Sequence, residues 1–171
     1  MPRSVQIAIV GAAACDEAVA QLARDTGAEL ARGGASLLCG GRGGVMEAAC
    51  QGARSAGGRT LGILPGIDEI STPPNDYLDV VLYTGLNQAR NQILVLSSRS
   101  VVAIGGGWGT LSEIAFALKF RVPVILLASW NLRRPDGLND PLLFEAHSAS
   151  DAAKLAFHAS ARASVSPSSA S

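Results

Sequence analysis

The residues best suited to chemistry lie in one stretch, Gly105-Gly106-Gly107-Trp108-Gly109-Thr110-Leu111-Ser112-Glu113. It follows directly on an apolar run. Glycines placed there let the backbone turn with positive φ and approach a ligand closely. The helix predicted next opens with free N–H groups and a partial positive charge, which together bind anions such as phosphate. Thr110 adds a hydroxyl, and Glu113 lies one turn further in, near the same opening. The same pattern has a second reading. Thr110-x-x-Glu113 is also a capping box, whose side chains satisfy amides of their own helix. The four glycines around Trp108 weigh toward a ligand, because a cap needs at most one.

Gly40-Gly41-Arg42-Gly43-Gly44-Val45-Met46-Glu47 forms a second turn of this kind. It is not the dinucleotide fingerprint, which would follow the first strand, and Gly11-Ala12-Ala13-Ala14 lacks it. It is not a P-loop, since no Gly-Lys-Ser/Thr follows. Arg42 can grip a phosphate or simply be solvated. Arg90 and Asn91 lie early in a helix predicted to start near Leu86, which sets Arg90 close to the same opening. On local sequence alone Arg90 reads as a surface residue.

The elements that position these turns alternate along the chain. Apolar runs at 5–10, 36–39, 60–64, 79–83, 100–104, 122–128 and, less surely bounded, 142–147 read as strands. Helical spacing fills 16–31, 45–56, 86–98, 110–120 and 151–162, the last with Ser150 as its cap. Near-continuous apolar strands alternating with helices predict a Rossmann-like three-layer α/β fold, with a mostly parallel sheet of about six to seven strands and helices on both faces. In such sheets ligands bind beyond the carboxyl ends of the strands, where both glycine turns fall. Residues 1–162 are expected to form one domain and 163–171 a disordered Ser/Ala tail.

Composition narrows the classes. The net charge is zero and the chain shows no basic patch, so no nucleic-acid partner is expected. No run approaches the ~20 apolar residues of a membrane span, so no membrane role is expected. Residues 3–15 look faintly like a signal or lipoprotein leader, but an amphipathic helix follows and the first strand would be lost with them. A cytoplasmic location is therefore expected. Cys15, Cys39 and Cys50 are read as small buried hydrophobes in a reducing compartment. His147 and His158 stand far apart, so no metal centre is expected.

The three segments in this order resemble the LOG-like superfamily, whose hallmark is Pro-Gly-Gly-x-Gly-Thr-x-x-Glu with an Arg upstream. Gly106, Gly107, Gly109, Thr110 and Glu113 match, Gly105 replaces the Pro, and Arg90 takes the upstream place. The resemblance spans roughly residues 5 to 160. One branch is similar to Lonely Guy phosphoribohydrolases, which release an adenine-type base from a nucleoside 5′-monophosphate. The other resembles molybdenum cofactor carrier proteins. Gly40-Gly41-Arg42, Glu47 after Met46, Ile63-Leu64-Pro65-Gly66 and Thr84-Gly85-Leu86 look like the carrier branch. Asn91 stands where the hydrolases place Lys. Gly106-Gly107-Trp108-Gly109-Thr110 looks more hydrolase-like.

The resemblance implies a phosphate-bearing small molecule, either a pterin (the molybdenum cofactor as bound ligand) or a nucleoside monophosphate. The expected ligand contacts are Gly40, Gly41, Arg42, Gly43, Gly44, Met46, Asn91, Gly105, Gly106, Gly107, Trp108, Gly109 and Thr110. In a hydrolase Glu113 and Arg90 would be catalytic. No metal ligand from the protein is implied, because molybdenum would arrive with the pterin. A homodimer or homotetramer is implied. Lysine decarboxylation, an old name for the superfamily, is not expected. That chemistry normally needs a Lys holding pyridoxal phosphate, and the only lysines, Lys119 and Lys154, lie away from the turns.

Overall fold

The structure is a computed structural model that describes residues 3–163. The predicted tail lies, from residue 164 onward, outside the described residues. Seven strands form one sheet: β1 (Gln6–Gly11), β2 (Ser36–Cys39), β3 (Arg59–Leu64), β4 (Val80–Tyr83), β5 (Ser100–Ile104), β6 (Val124–Leu127) and β7 (Leu143–Ala146). Their order across the sheet is β4-β3-β2-β1-β5-β6-β7, and every pairing is parallel. The fold is thus α/β, Rossmann-like and wholly parallel. The segment that resembles a leader forms its central strand, with Ile7 opposite Leu37 on one side and Ile9 opposite Val102 on the other.

Four helices link strands, α1 (Glu17–Arg32), α2 (Val45–Ser55), α3 (Arg90–Leu96) and α4 (Trp108–Lys119), and α5 (Ala149–Ala163) follows β7 among the described residues. The sheet separates two cores. Alternate strand residues such as Ile7, Ile9, Leu37 and Ile104 meet α1, α2 and α5 on one face. Ala8, Val10, Val101 and Ala103 face α3 and α4 on the other. Strands covered on both sides must be apolar on both sides, which is why β2, β5 and β6 are buried at every position.

Three local predictions are corrected. The helix expected over 86–98 is split into a 3-10 turn, Asn87–Ala89, and the short α3. Asn87 adopts φ 49, a left-handed value that no longer helix could carry. The last helix starts two residues early, at Ala149. Its cap is Ser148, whose hydroxyl accepts from the Asp151 amide at 3.1 Å, not Ser150. The helix expected from Thr110 starts at Trp108, which changes the reading of its first turn.

Helices α1 and α2 touch backbone to backbone. A Cβ on Gly52 would lie 2.6 Å from the Arg24 carbonyl carbon, and one on Gly27 would lie 2.9 Å from that of Ala49. Replacing a helical Gly with Ala normally gains about 1 kcal/mol. Here Gly52→Ala is expected to lose about 1–3 kcal/mol, the range for overpacking a filled interior. Urea unfolding measures this, and a gain in stability would show that the contact yields.

Candidate functional site

The strand order reverses between β1 and β5, and both glycine turns lie at the carboxyl ends of strands flanking that point. The turn after β5 is pinned from behind. The Gly105 amide donates to the Leu127 carbonyl at 3.3 Å, and the Ser129 hydroxyl donates to the Gly105 carbonyl at 2.5 Å. Beyond it, the amides of Gly106, Gly107, Trp108, Gly109 and Thr110 make no hydrogen bond among the described residues. The first bond of this segment runs from Leu111 to the Gly107 carbonyl. Residues 106–109 are exposed. A Cβ added at Gly107 or Gly109 would have no atom within 4 Å.

The capping box is not formed. Gly107 occupies the cap position of α4, and no side chain caps the helix. Thr110 and Glu113 are instead carried inside the first two turns, both buried. The Thr110 side chain is tucked beneath Gly106, where any larger residue would collide with it.

The turn after β2 is built in the same manner. Asn75 holds it from behind, its amide donating to the Gly41 carbonyl and its Nδ2 to the Arg42 carbonyl, each at 3.0 Å. Gly44 has φ 63, and a Cβ there would press on the Ala12 and Ala13 backbone, so only glycine lets this turn lie against the end of β1. The amides of Arg42, Gly43, Gly44, Met46 and Glu47 have no partner among the described residues. Arg42 itself is exposed.

Arg90 overturns the surface reading. It is 7% exposed, and its Nε and Nη1 have no hydrogen-bond partner among the described residues. Its guanidinium lies against Gly40, where a Cβ would overlap Nη1, with Nη2 at 2.7 Å and the Met46 sulfur at 2.8 Å. Gly40 is therefore needed for close approach, and Met46 is the apolar floor beside it. Burial pulls the Arg90 pKa below its ordinary value, and Glu113 offsets part of this. Neighbouring Asn91 is also buried. Its Nδ2 donates to the Ser112 hydroxyl at 3.2 Å, tying α3 to α4, while Oδ1 has no partner.

Glu113 makes no ion pair within 4 Å, with Arg90 or any other described cation. Burial pushes its carboxyl up to about 7, against the smaller opposing pull of Arg90. The site thus joins two sets of amides without partners among the described residues, one buried guanidinium and a carboxyl that is half neutral near pH 7. Such a set can receive an anion and can take up or release a proton beside it. Among the described residues no three His, Cys, Asp or Glu side chains group as metal ligands.

The comparisons match this architecture. The model of the SLOG cluster4 family matches residues 4–163. The chain belongs to the SLOG cluster4 family. An uncharacterized protein of Archaeoglobus fulgidus is 44% identical over 115 residues, 67% of this chain and 74% of its own. The molybdenum cofactor binding protein of Rippkaea orientalis superposes with a TM-score of 0.81 at 40% identity, over 90% of this chain and 95% of that one. The molybdenum cofactor carrier protein of Chlamydomonas reinhardtii gives 0.81 at 36%, over 93% and 99%.

In this SLOG cluster4 chain, sequence reading missed the groups that hold the turns. Asn75, Ser129 and Ser112 act through backbone or across elements, and no spacing connects them. Trp130, whose ring centroid lies 5.4 Å from that of Trp108, was likewise missed.

The Glu113 proton has a consequence for stability. Its folded pKa lies above the ordinary 4.5, so the folded state retains a proton that the unfolded chain releases. Stability therefore falls as pH rises from about 4.5 to about 7 and levels off above, a loss on the order of 3 kcal/mol. Glu113→Gln is expected to lack this fall, so its advantage over the native chain grows between pH 5 and pH 8. Urea unfolding at both values tests it. An equal difference at the two pH values would assign the carboxyl an ordinary pKa.

Proposed function

We propose that this protein binds the molybdenum cofactor through its phosphate and acts as a carrier for it. The observation that carries the reading is the buried Arg90 guanidinium, unpartnered among the described residues, beside turns whose amides likewise have no partner among them. The likeness to the Rippkaea orientalis and Chlamydomonas reinhardtii proteins supports the choice of cargo. The phosphate would rest on the amides of Gly107, Gly109 and Thr110. Arg42, Arg90 and the amides of Gly43 and Gly44 would hold other polar groups of the pterin, with Met46 and Asn91 beneath. The pterin supplies the metal's own ligands, so the protein needs only reversible affinity and shelter.

A second reading has its own observation, the carboxyl of Glu113 at about 7 near Arg90. In a nucleoside 5′-monophosphate phosphoribohydrolase, cleavage of the N-glycosidic bond builds positive charge on the ribose. Glu113 would answer that charge or activate water, and Arg90 would orient the nucleotide.

The assembly belongs to the same proposal. Val80 and Leu82 lie opposite Leu61 and Ile63, so they face the α3 side of the sheet, yet both are exposed. Ile93 and Leu96 on α3 are exposed as well. This apolar face fits a second copy of the chain, as a homodimer or within a homotetramer. A cytoplasmic location fits the free thiols of Cys39 and Cys50, which share a hydrogen bond at 3.5 Å.

Arg42→Ala and Arg90→Ala are each expected to weaken cofactor binding about tenfold or more, as loss of charge-assisted hydrogen bonds does, and Thr110→Val, which keeps its amide, less. Equilibrium binding of isolated molybdenum cofactor measures it, and unchanged affinity in all three would end the carrier reading. Incubating the native protein with AMP and an N6-prenylated AMP tests the second reading. Free base and ribose 5-phosphate, lost about 100-fold or more in Glu113→Gln, would establish hydrolysis in its place. Sedimentation velocity of Leu82→Lys is expected to show smaller species than the native chain, and unchanged sedimentation would remove β4 from the interface.

A further inference from the structure

Trp108 is 80% exposed at the first residue of α4, in the middle of the run of free amides. The backbone on either side of it is bare, since neither Gly107 nor Gly109 has an atom near its Cβ position. One side of the indole leans on Trp130, with ring planes tilted by 43°. The rest faces outward. Trp130 is held by a costly piece of backbone. Ala128, two residues earlier, has φ 49, and a left-handed Ala is rare outside strained functional turns. The Trp130 indole N–H is buried and has no partner among the described residues, although a buried indole usually finds one. A strained turn thus holds an aromatic pair, one member of which is exposed and the other short of an acceptor.

We propose that Trp108 is a stacking platform that selects ligands carrying a planar heteroaromatic ring, with Trp130 as its support and as a donor to an acceptor on the ring edge. The turn would grip the phosphate, and the indole that grows from the same turn would lie against the ring of the same ligand. A pterin and a purine both offer a flat π face and ring-edge acceptors, so the shared chemistry is a phosphorylated nitrogen heterocycle. A bare sugar phosphate offers neither. The inference rests on the phosphate reading of the turn, but not on whether the ligand is carried or cleaved.

The test uses the full chain and four probes, 6-hydroxymethylpterin phosphate, AMP, ribose 5-phosphate and inorganic phosphate, each titrated by calorimetry. The native protein is expected to bind the two ring-bearing probes at least tenfold more tightly than ribose 5-phosphate. Trp108→Ala is expected to remove about tenfold of affinity for the ring-bearing probes, in line with base stacking on an aromatic side chain. It should leave ribose 5-phosphate within twofold. Trp108→Phe should retain most of the preference, and Trp130→Phe, which removes the N–H and part of the supporting ring, should lose part of it. Equal weakening of all four probes in Trp108→Ala would make the indole a shaper of the turn and overturn the proposal. So would no weakening of any probe, or a change in sedimentation that places the indole in a subunit contact. Failure of the native chain to bind any probe would defeat the phosphate reading beneath it, a different result from loss of ring preference alone.

Discussion

A buried guanidinium with no opposite charge in contact is the constraint on which this structure turns. Leaving a buried charge without its partner costs about 3–5 kcal/mol. Arg90 is in that position, with Glu113 nearby but outside ion-pair range. Two helix starts add partial positive charge beside it, and neither is capped by a side chain. Everything around the guanidinium preserves this imbalance. Gly40 leaves it room, Asn75 and Ser129 occupy the carbonyls behind the turns, and the amides are left without partners among the described residues. A site arranged this way has the charge balance that an anion would complete.

Topology explains how one arginine comes to stand between two turns. The chain builds β1 to β4 toward one edge, then returns to lay β5 beside β1 and continues toward the other. The short 3-10 turn and α3 make the return, packing on α4 through the Asn91–Ser112 bond. Arg90 therefore enters at the fold's reversal, where the two turns also meet. The return is abrupt. It leaves β4 and one side of α3 uncovered, which is why apolar residues stand exposed at that edge of the sheet.

Much of this was legible in the order of residues. Apolar runs ending in glycine located the strands, because a strand buried on both faces admits little else. The turns themselves were legible because so many glycines in a row serve no ordinary cap. Burial of single side chains was not legible. Arg90 reads as a surface residue from its helix alone, and only the placement of Gly40, fifty residues earlier, explains its enclosure. The capping box was a sound local reading that failed by a shift of two residues in the helix start. Gly107 rather than a side chain opens α4, which frees Thr110 and Glu113 for the interior. Ser148 and Trp130 were missed for a related reason, since a cap or a ring contact depends on where a loop is delivered in space.

The protonation of Glu113 separates the two functional readings on physical grounds. Burial already pushes this carboxyl up to about 7, with Arg90 pulling the other way. A ligand whose phosphate settles on the amides and whose other polar groups take the guanidinium would engage Arg90 and bring negative charge toward the carboxyl. Both changes raise its pKa further. In the complex Glu113 would then be neutral, and a neutral acid can donate a hydrogen bond to a ligand oxygen. That is useful for holding a ligand and for releasing it as the proton leaves. Cleavage of a glycosidic bond asks the reverse, a carboxylate that answers positive charge on the ribose. A site that drives its own carboxyl toward neutrality when the anion arrives is better built for retention than for that cleavage. This is the physical reason for setting carriage ahead of hydrolysis.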